Sequence, residues 1–199
     1  MATIAELLAS SLNALKQVQR GEDFTIIKSS DLSRTHIKRL VDNHFLKPII
    51  KGWYVVTDPR ATPGDSTAWY ASFWSFISRY ANERYGNEWC LSAEQSLSIY
   101  TGATIIPNQV LIRAPKGNDY MVPLIPPTSV FNLGAELPSK IDTNNPYNLN
   151  LYTLAEAIIV ATPTMYRNDA LTMRTALAMV HDSCLLYTSP SPRDRQKSR

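Results

Sequence analysis

The sequence predicts an α+β protein in two parts: a winged-helix-like domain over residues 1–60 and a small mixed α/β domain over residues 61–183. Three observations support this prediction. Patterns typical of a helix, a strand, a second helix and a β-hairpin follow one another in the first part. A loop rich in proline and glycine occupies residues 58–64. Short strand-like runs mixed with further helical patterns come after that loop.

The first helix is predicted over residues 4–20. Thr3 and Glu6 have the spacing of a capping box, in which each side chain satisfies a backbone amide of the other residue. Apolar residues then recur at helical intervals. Gly21 is expected to end the helix, because glycine readily adopts the left-handed conformation common just after a helix C-terminus.

A second helix is predicted over residues 34–44, after a strand-like run at 24–28. Ser33 precedes it and is expected to cap its first turn. One face of this helix is predicted to be buried, by Ile37, Leu40 and Val41, with His44 as a further candidate. The basic side chains would then lie on or beside the opposite, solvent-facing side.

The hairpin is predicted from two β-rich runs, residues 45–50 and 53–57, which flank Lys51 and Gly52. A two-residue turn that ends in glycine is a common connection between antiparallel strands. Pro48 has no amide hydrogen, so it is expected at an edge or at a position without a ladder hydrogen bond. Helix, helix and basic hairpin in this order are typical of a winged helix.

The second part is predicted to open with a long helix from Ser66 to Tyr85, ended by Gly86. Aromatic residues encircle it, so we expect a buried helix and not a surface on which nucleic-acid bases stack. Those apolar residues are Trp69, Tyr70, Phe73, Trp74, Phe76, Ile77 and Tyr80. Strands are predicted at 109–114, 120–125, 129–132 and 148–152, and helices at 92–101, 154–161 and 169–180.

The last sixteen residues, Cys184–Arg199, resemble the translation of a transposon-end sequencing adapter followed by a barcode. Within them, Ser189–Pro192 and the seven residues that follow, four of which are cations, have no apolar face to offset the entropy of ordering, so we expect no fold in this tail. We also expect the natural protein to continue beyond Ser183 with different residues. The helix before the tail would then leave Leu177 and Val180 partly uncovered.

Charge is unevenly distributed along the chain. The whole sequence has 20 basic and 17 acidic residues, a net charge of +3, but the tail holds four of those basic residues and one acidic residue. Residues 1–183 therefore carry 16 of each and are neutral. Residues 28–51 contain six basic residues and two acidic residues. A local basic patch on a neutral chain indicates an anionic partner.

Duplex DNA is the anionic partner that a winged helix would bind. Its second helix would present polar and basic side chains to the major groove, and a cation on the hairpin would meet a phosphate. The alternative interpretation is that these side chains form a solvated helix face and an exposed turn. The candidate DNA-binding residues are Arg34, Thr35, Lys38, Arg39, Lys47 and Lys51.

No pattern of residues predicts an enzyme, a metal site or a cofactor. The seven glycines are too far apart for a phosphate-binding loop, and the three histidines match no metal-ligand spacing. Cys90 is the one cysteine outside the tail, and we expect it to be buried and structural. A chain without a disulfide, a leader or a long apolar run is expected in the cytoplasm, with no membrane partner.

The segment from Leu40 to Tyr54 is similar to the L-x-x-x-G-x-L-x-x-x-x-x-G-x-Y pattern of AbiEi-type antitoxin winged helices. His44 stands where that family usually has glycine. Only about six residues separate the first strand from the second helix, so the middle helix of a full helix-turn-helix is shortened.

A second resemblance, to the amino-terminal region of long bacterial Fic-family proteins, covers essentially all of residues 1–183. It is carried by the segments Met1–Glu6, Lys51–Tyr54, Gly64–Trp74, Trp89–Ser98, Arg113–Gly117 and Ala176–Val180. This resemblance implies a downstream Fic domain that transfers AMP from ATP to a hydroxyl group of a target. The Fic signature H-x-F-x-[D/E]-G-N-G-R is absent from these 199 residues, so no catalytic residue is assigned.

Two functions remain open at this stage. The first is a non-catalytic regulatory module that binds DNA and belongs to a toxin–antitoxin-like Fic protein. The alternative is a protein-interaction module that restrains or targets the Fic domain without binding DNA.

Overall fold

In the computed structural model of the chain, residues 3–19, 25–62 and 64–181 are described. The fold class is α+β, as predicted: the described residues form seven helices and three small sheets. The described residues divide into two compact units, one within the range 3–76 together with 123–125, the other within 77–122 and 126–181. The sequence predicts the division at residue 60, whereas the first unit also includes residues 64–76 and 123–125.

The elements of the first unit follow the predicted order. They are α1 (Ile4–Val18), β1 (Ile26–Lys28), α2 (Arg34–Asp42), β2 (Leu46–Ile50), β3 (Trp53–Val56) and α3 (Thr67–Tyr85), which continues into the second unit.

The capping box of α1 is confirmed. The backbone amide of Thr3 donates to the Glu6 carboxylate at 2.7 Å, and the amide of Glu6 donates to the Thr3 hydroxyl at 3.3 Å. Gly21 and Phe24, predicted as the helix stop and the first strand residue, lie outside the described residues. Leu15 of α1 is buried in a core cluster together with Ile27, Leu32, Ile37, Leu40 and Leu46.

The cap of α2 is confirmed, but the predicted burial of His44 is wrong. The Ser33 hydroxyl accepts the backbone amide of His36, as expected. His44 is exposed and has a φ of 62°, the left-handed conformation in which a chain leaves a helix. The amide of Phe45 completes this ending by donating to the Leu40 carbonyl at 2.8 Å. The position therefore suits the glycine of the resembling antitoxin pattern.

The hairpin is confirmed, and its strands join β1 in an antiparallel sheet of order β1-β3-β2. Gly52 supplies the positive φ of 84° that the turn requires. Pro48 lies on β2, an edge strand, where its missing amide hydrogen costs no interior ladder bond. The register shifts between Pro48 and Ile50.

Three of the aromatic residues in the first half of α3 are buried, which explains why the first unit extends past residue 60. Trp69, Phe73 and Phe76 are each at most 1% exposed. The ring of Phe76 also meets that of Trp53 edge to face, with centroids 5.5 Å apart. Aromatic packing of this kind joins the start of α3 to the hairpin. Gly86, with a φ of 61°, directly follows the helix.

The second unit contains the predicted elements and adds three short ones, but the strand predicted at 148–152 is shortened to two residues. Its elements after α3 are β4 (Cys90–Leu91), α4 (Ala93–Tyr100), β5 (Gln109–Ala114), β6 (Tyr120–Pro123), β7 (Ser129–Gly134), β8 (Ile141–Asp142), β9 (Leu151–Tyr152), α5 (Leu154–Val160), α6 (Pro163–Asn168) and α7 (Ala170–Ala178). The sequence prediction lacks β4, β8 and α6. Near the end of α7, Leu177 is 44% exposed and Val180 is partly buried.

The main sheet of the second unit has the order β4-β5-β7-β6, with β5 and β7 parallel. Asn132 of β7 is fully buried, and its amide supplies hydrogen bonds in place of water. Its Oδ1 accepts the Tyr85 hydroxyl at 2.9 Å, and its Nδ2 donates to the Tyr80 hydroxyl at 3.2 Å. This network fixes the second half of α3 on the sheet.

Gly117 permits the loop after β5 to touch β7, and we expect Gly117→Ala to destabilise the second unit by about 1–3 kcal/mol. A Cβ at Gly117 would lie 2.3 Å from the carbonyl oxygen of Leu133, so the backbone itself would have to move. Chemical denaturation of the Gly117→Ala variant measures the cost. Gly102→Ala is the control, because a Cβ there meets open space and only its positive φ is strained. Equal losses in both variants would show that the close approach is unimportant.

Candidate nucleic-acid interface

The exposed face of α2 holds most of the predicted DNA-binding residues. Arg34, Thr35 and Lys38 are exposed, and Arg39 is partly buried. On the opposite face, burial of Ile37 and Leu40 anchors the helix to the core. The sequence therefore folds so that three polar or cationic side chains point to solvent near the N-terminus of one helix.

The Lys51–Gly52 turn of the hairpin lies beside the chain that leads into α2. The backbone amide of Ser29 donates to the Gly52 carbonyl at 2.8 Å. Lys28, the last residue of β1, is the register partner of Trp53 at the start of β3. Lys51 is exposed at the tip of the turn. The hairpin turn is thus joined to the segment that leads into α2, and we use the name basic edge for Arg34, Thr35, Lys38 and Arg39 of α2 together with Lys51 of the turn.

Lys28 also lies next to this turn, although it is not among the residues that the sequence predicts to bind DNA. Its ammonium group lies 5.3 Å from the centroid of the Trp53 ring, a cation–π arrangement. The sequence places Lys28 in the basic stretch 28–51, which indicates that it could belong to the interface. Its position beside Trp53 cannot be predicted, because it results from the pairing of β1 with β3.

Two hydrogen-bonded side chains hold the basic edge in place. The Asp31 carboxylate accepts the amide of Lys28 at 2.8 Å and so fixes the turn before α2. The buried Ser11 hydroxyl of α1 donates to the Leu7 carbonyl and lies 2.9 Å from Nδ1 of His36. The Ser11 hydroxyl and Nδ1 of His36 are within hydrogen-bond distance. The bond ties α2 to α1.

Lys47 is placed differently from the other candidates. It is partly buried on β2 and lines a cavity together with the carboxylates of Asp58 and Asp65. Hydrogen bonds from Thr67 lower the pKa of the Asp65 carboxyl group, and the nearby charge of Lys47 lowers it further. Lys47 therefore lies near the Asp65 carboxylate, whereas Arg34, Lys38 and Lys51 are exposed to solvent.

The remaining chemistry-bearing residues give no catalytic arrangement in the described part of the chain. Cys90 is fully buried, and burial raises the pKa of its thiol, which disfavours the reactive thiolate. Ser92 is the N-cap of α4, where its hydroxyl accepts the amide of Gln95. Residues 3–19, 25–62 and 64–181 contain no group of three acidic, His or Cys side chains that could hold a metal ion.

No protein-family model matches the chain, and no curated protein is similar to it. Within the described ranges, every helix is too short or too polar to cross a lipid bilayer.

Proposed function

We propose that the first unit is a winged-helix module that binds duplex DNA through the basic edge. The main support is the placement of an anchored helix with an exposed polar face, α2, next to a hairpin whose tip carries Lys51. The element order and the β1-β3-β2 sheet also agree with a winged helix. Five residues of turn, Ser29–Ser33, replace the middle helix.

Each residue of the basic edge has a role in this proposal. Arg34, Thr35 and Lys38 occupy the first turns of α2, the part of a recognition helix that enters the major groove, where Thr35 reaches base edges and the cations Arg34 and Lys38 contact the phosphates at its sides. Lys51 and Arg39 contact phosphates. Phosphate contacts set the affinity and orientation of the complex but not its sequence preference. The tie between His36 and Ser11 fixes the angle at which α2 leaves the core.

The proposed module is regulatory and not enzymatic. The resemblance to Fic-family amino-terminal regions supports a role next to an AMP-transferring domain, such as autoregulation of an operon in a toxin–antitoxin-like system. The cytoplasm is the proposed location. ATP-dependent AMP transfer by residues 1–183 themselves would contradict the non-enzymatic part of the proposal.

The combined variant Lys38→Ala/Lys51→Ala tests the DNA proposal. We expect it to weaken binding to a random-sequence duplex on the order of tenfold at low salt, because two phosphate-range cations are removed. Fluorescence anisotropy with a labelled duplex measures the change. The matched control is Lys116→Ala/Lys140→Ala, which removes two exposed cations of the second unit.

Binding that is equal in the two double variants would exclude the basic edge as the interface. Absence of binding to any duplex at low salt would exclude the DNA-binding function altogether. Either outcome favours the alternative function, a protein-interaction module that restrains or targets the Fic domain.

A further inference from the structure

A cavity of about 580 Å³ lies in the first unit, away from the exposed face of α2. It lies between the end of α2, strand β2 and the loop that follows β3. Val41, Leu46, Pro48 and Pro59 give it apolar walls. Its size falls within the range of small-molecule sites, which combine apolar walls with a few polar groups.

The two carboxylates at the cavity, Asp58 and Asp65, differ in whether a positive charge lies near them. Asp65 is engaged by the amide of Thr67 at 2.8 Å and by the nearby charge of Lys47. Asp58 also lines the cavity, and one of its oxygens accepts the amide of Arg60 at 2.9 Å. That contact is to a neutral backbone group, and no cation among the described residues forms a salt bridge with the Asp58 carboxylate. The cavity is therefore complementary to an apolar body with one positive charge.

We propose that this cavity binds a small primary amine on an aromatic or branched aliphatic body, with its ammonium group on Asp58. The apolar body would pack between Leu46, Pro48 and Pro59, where it removes apolar surface from water. The ammonium group would donate to the second oxygen of Asp58, a charge-assisted hydrogen bond. This inference is independent of DNA binding, because none of these groups belongs to the basic edge.

Phenethylamine is the probe for this site, with 2-phenylethanol and 3-phenylpropionate as its neutral and anionic counterparts. Titration of the full chain is followed by NMR of the backbone amides. We expect phenethylamine to shift the amides of Leu46, Thr57 and Ala61 with an affinity of about a millimolar, typical of so small a ligand. The neutral alcohol should bind about fivefold more weakly, the effect of one exposed ion pair.

The variant Asp58→Asn should reduce phenethylamine affinity by the same factor of about five and leave the affinity of the alcohol unchanged. Asp42→Asn, an exposed carboxylate on α2 that does not line the cavity, is the matched control and should change neither. Equal affinities for the amine and the alcohol would overturn the proposal, as would shifts confined to other amides. The comparison of the three probes uses the unaltered chain, so it holds even if Asp58→Asn does not fold.

Discussion

The Trp69→Ala variant is expected to lower the free energy of unfolding by about 3–5 kcal/mol, the cost of removing a large aromatic side chain from a packed core. Trp69 is 1% exposed. Its ring meets those of Phe73 and Phe76 edge to face, with centroids 5.3 and 5.4 Å away. The loss therefore includes aromatic contacts as well as buried area. Urea denaturation followed by far-UV circular dichroism measures it.

Ser75→Ala provides the control for this variant, because Ser75 is exposed on the same helix and its loss should change stability by less than about 0.5 kcal/mol. DNA binding discriminates between the two interpretations of the aromatic residues. If Trp69→Ala kept its stability and lost affinity for nucleic acid, the ring would be a stacking surface and not core.

Local signals in the sequence were sufficient for the elements that position the basic edge. The capping box at Thr3, the cap at Ser33 and the Lys51–Gly52 turn each depend on residues a few positions apart. Their hydrogen bonds and backbone angles are those that the spacing predicts. Local chemistry of this kind survives in the folded chain because tertiary packing reinforces it.

Short elements and long-range placements could not be predicted in the same way. β4 and β8 have two residues each, too few for a periodic pattern, and they exist through pairing with distant strands. Helix α6 did carry a local signal that the prediction overlooked, Thr162 as cap before Pro163 at the first helical position. The sequence predicts Lys47 as a DNA-binding residue together with the cations of α2. Its actual neighbours line the cavity, and their position depends on how the loop at Asp58 folds.

The end of α2 shows how a local rule can fail for a physical reason. The helical periodicity predicts His44 on the buried face only if the helix continues through residue 44. The helix instead ends at Asp42, and the hydroxyl of Thr57 holds the His44 carbonyl at 2.7 Å. Thr57 follows the hairpin, thirteen residues after His44, so the residues next to His44 in the sequence do not predict this hydrogen bond.

Raising the salt concentration from 50 to 200 mM should weaken the proposed DNA binding by about a hundredfold. Four cations of the basic edge, Arg34, Lys38, Arg39 and Lys51, would each neutralise one phosphate. Counterion release then gives a slope of about −3.6 for the logarithm of affinity against the logarithm of salt concentration. Anisotropy titrations with one duplex at several salt concentrations measure this slope.

The same titrations separate the contributions of individual lysines. Lys38→Ala/Lys51→Ala should halve the slope to about −1.8, so that its affinity falls only about tenfold over the same range. Lys47→Ala should leave the slope unchanged, because Lys47 lines the cavity and lies near the Asp65 carboxylate. A slope that fell by about 0.9 in Lys47→Ala would instead place this side chain on a phosphate. The cavity and the DNA would then share a residue, and ligands of the cavity would compete with the duplex for it.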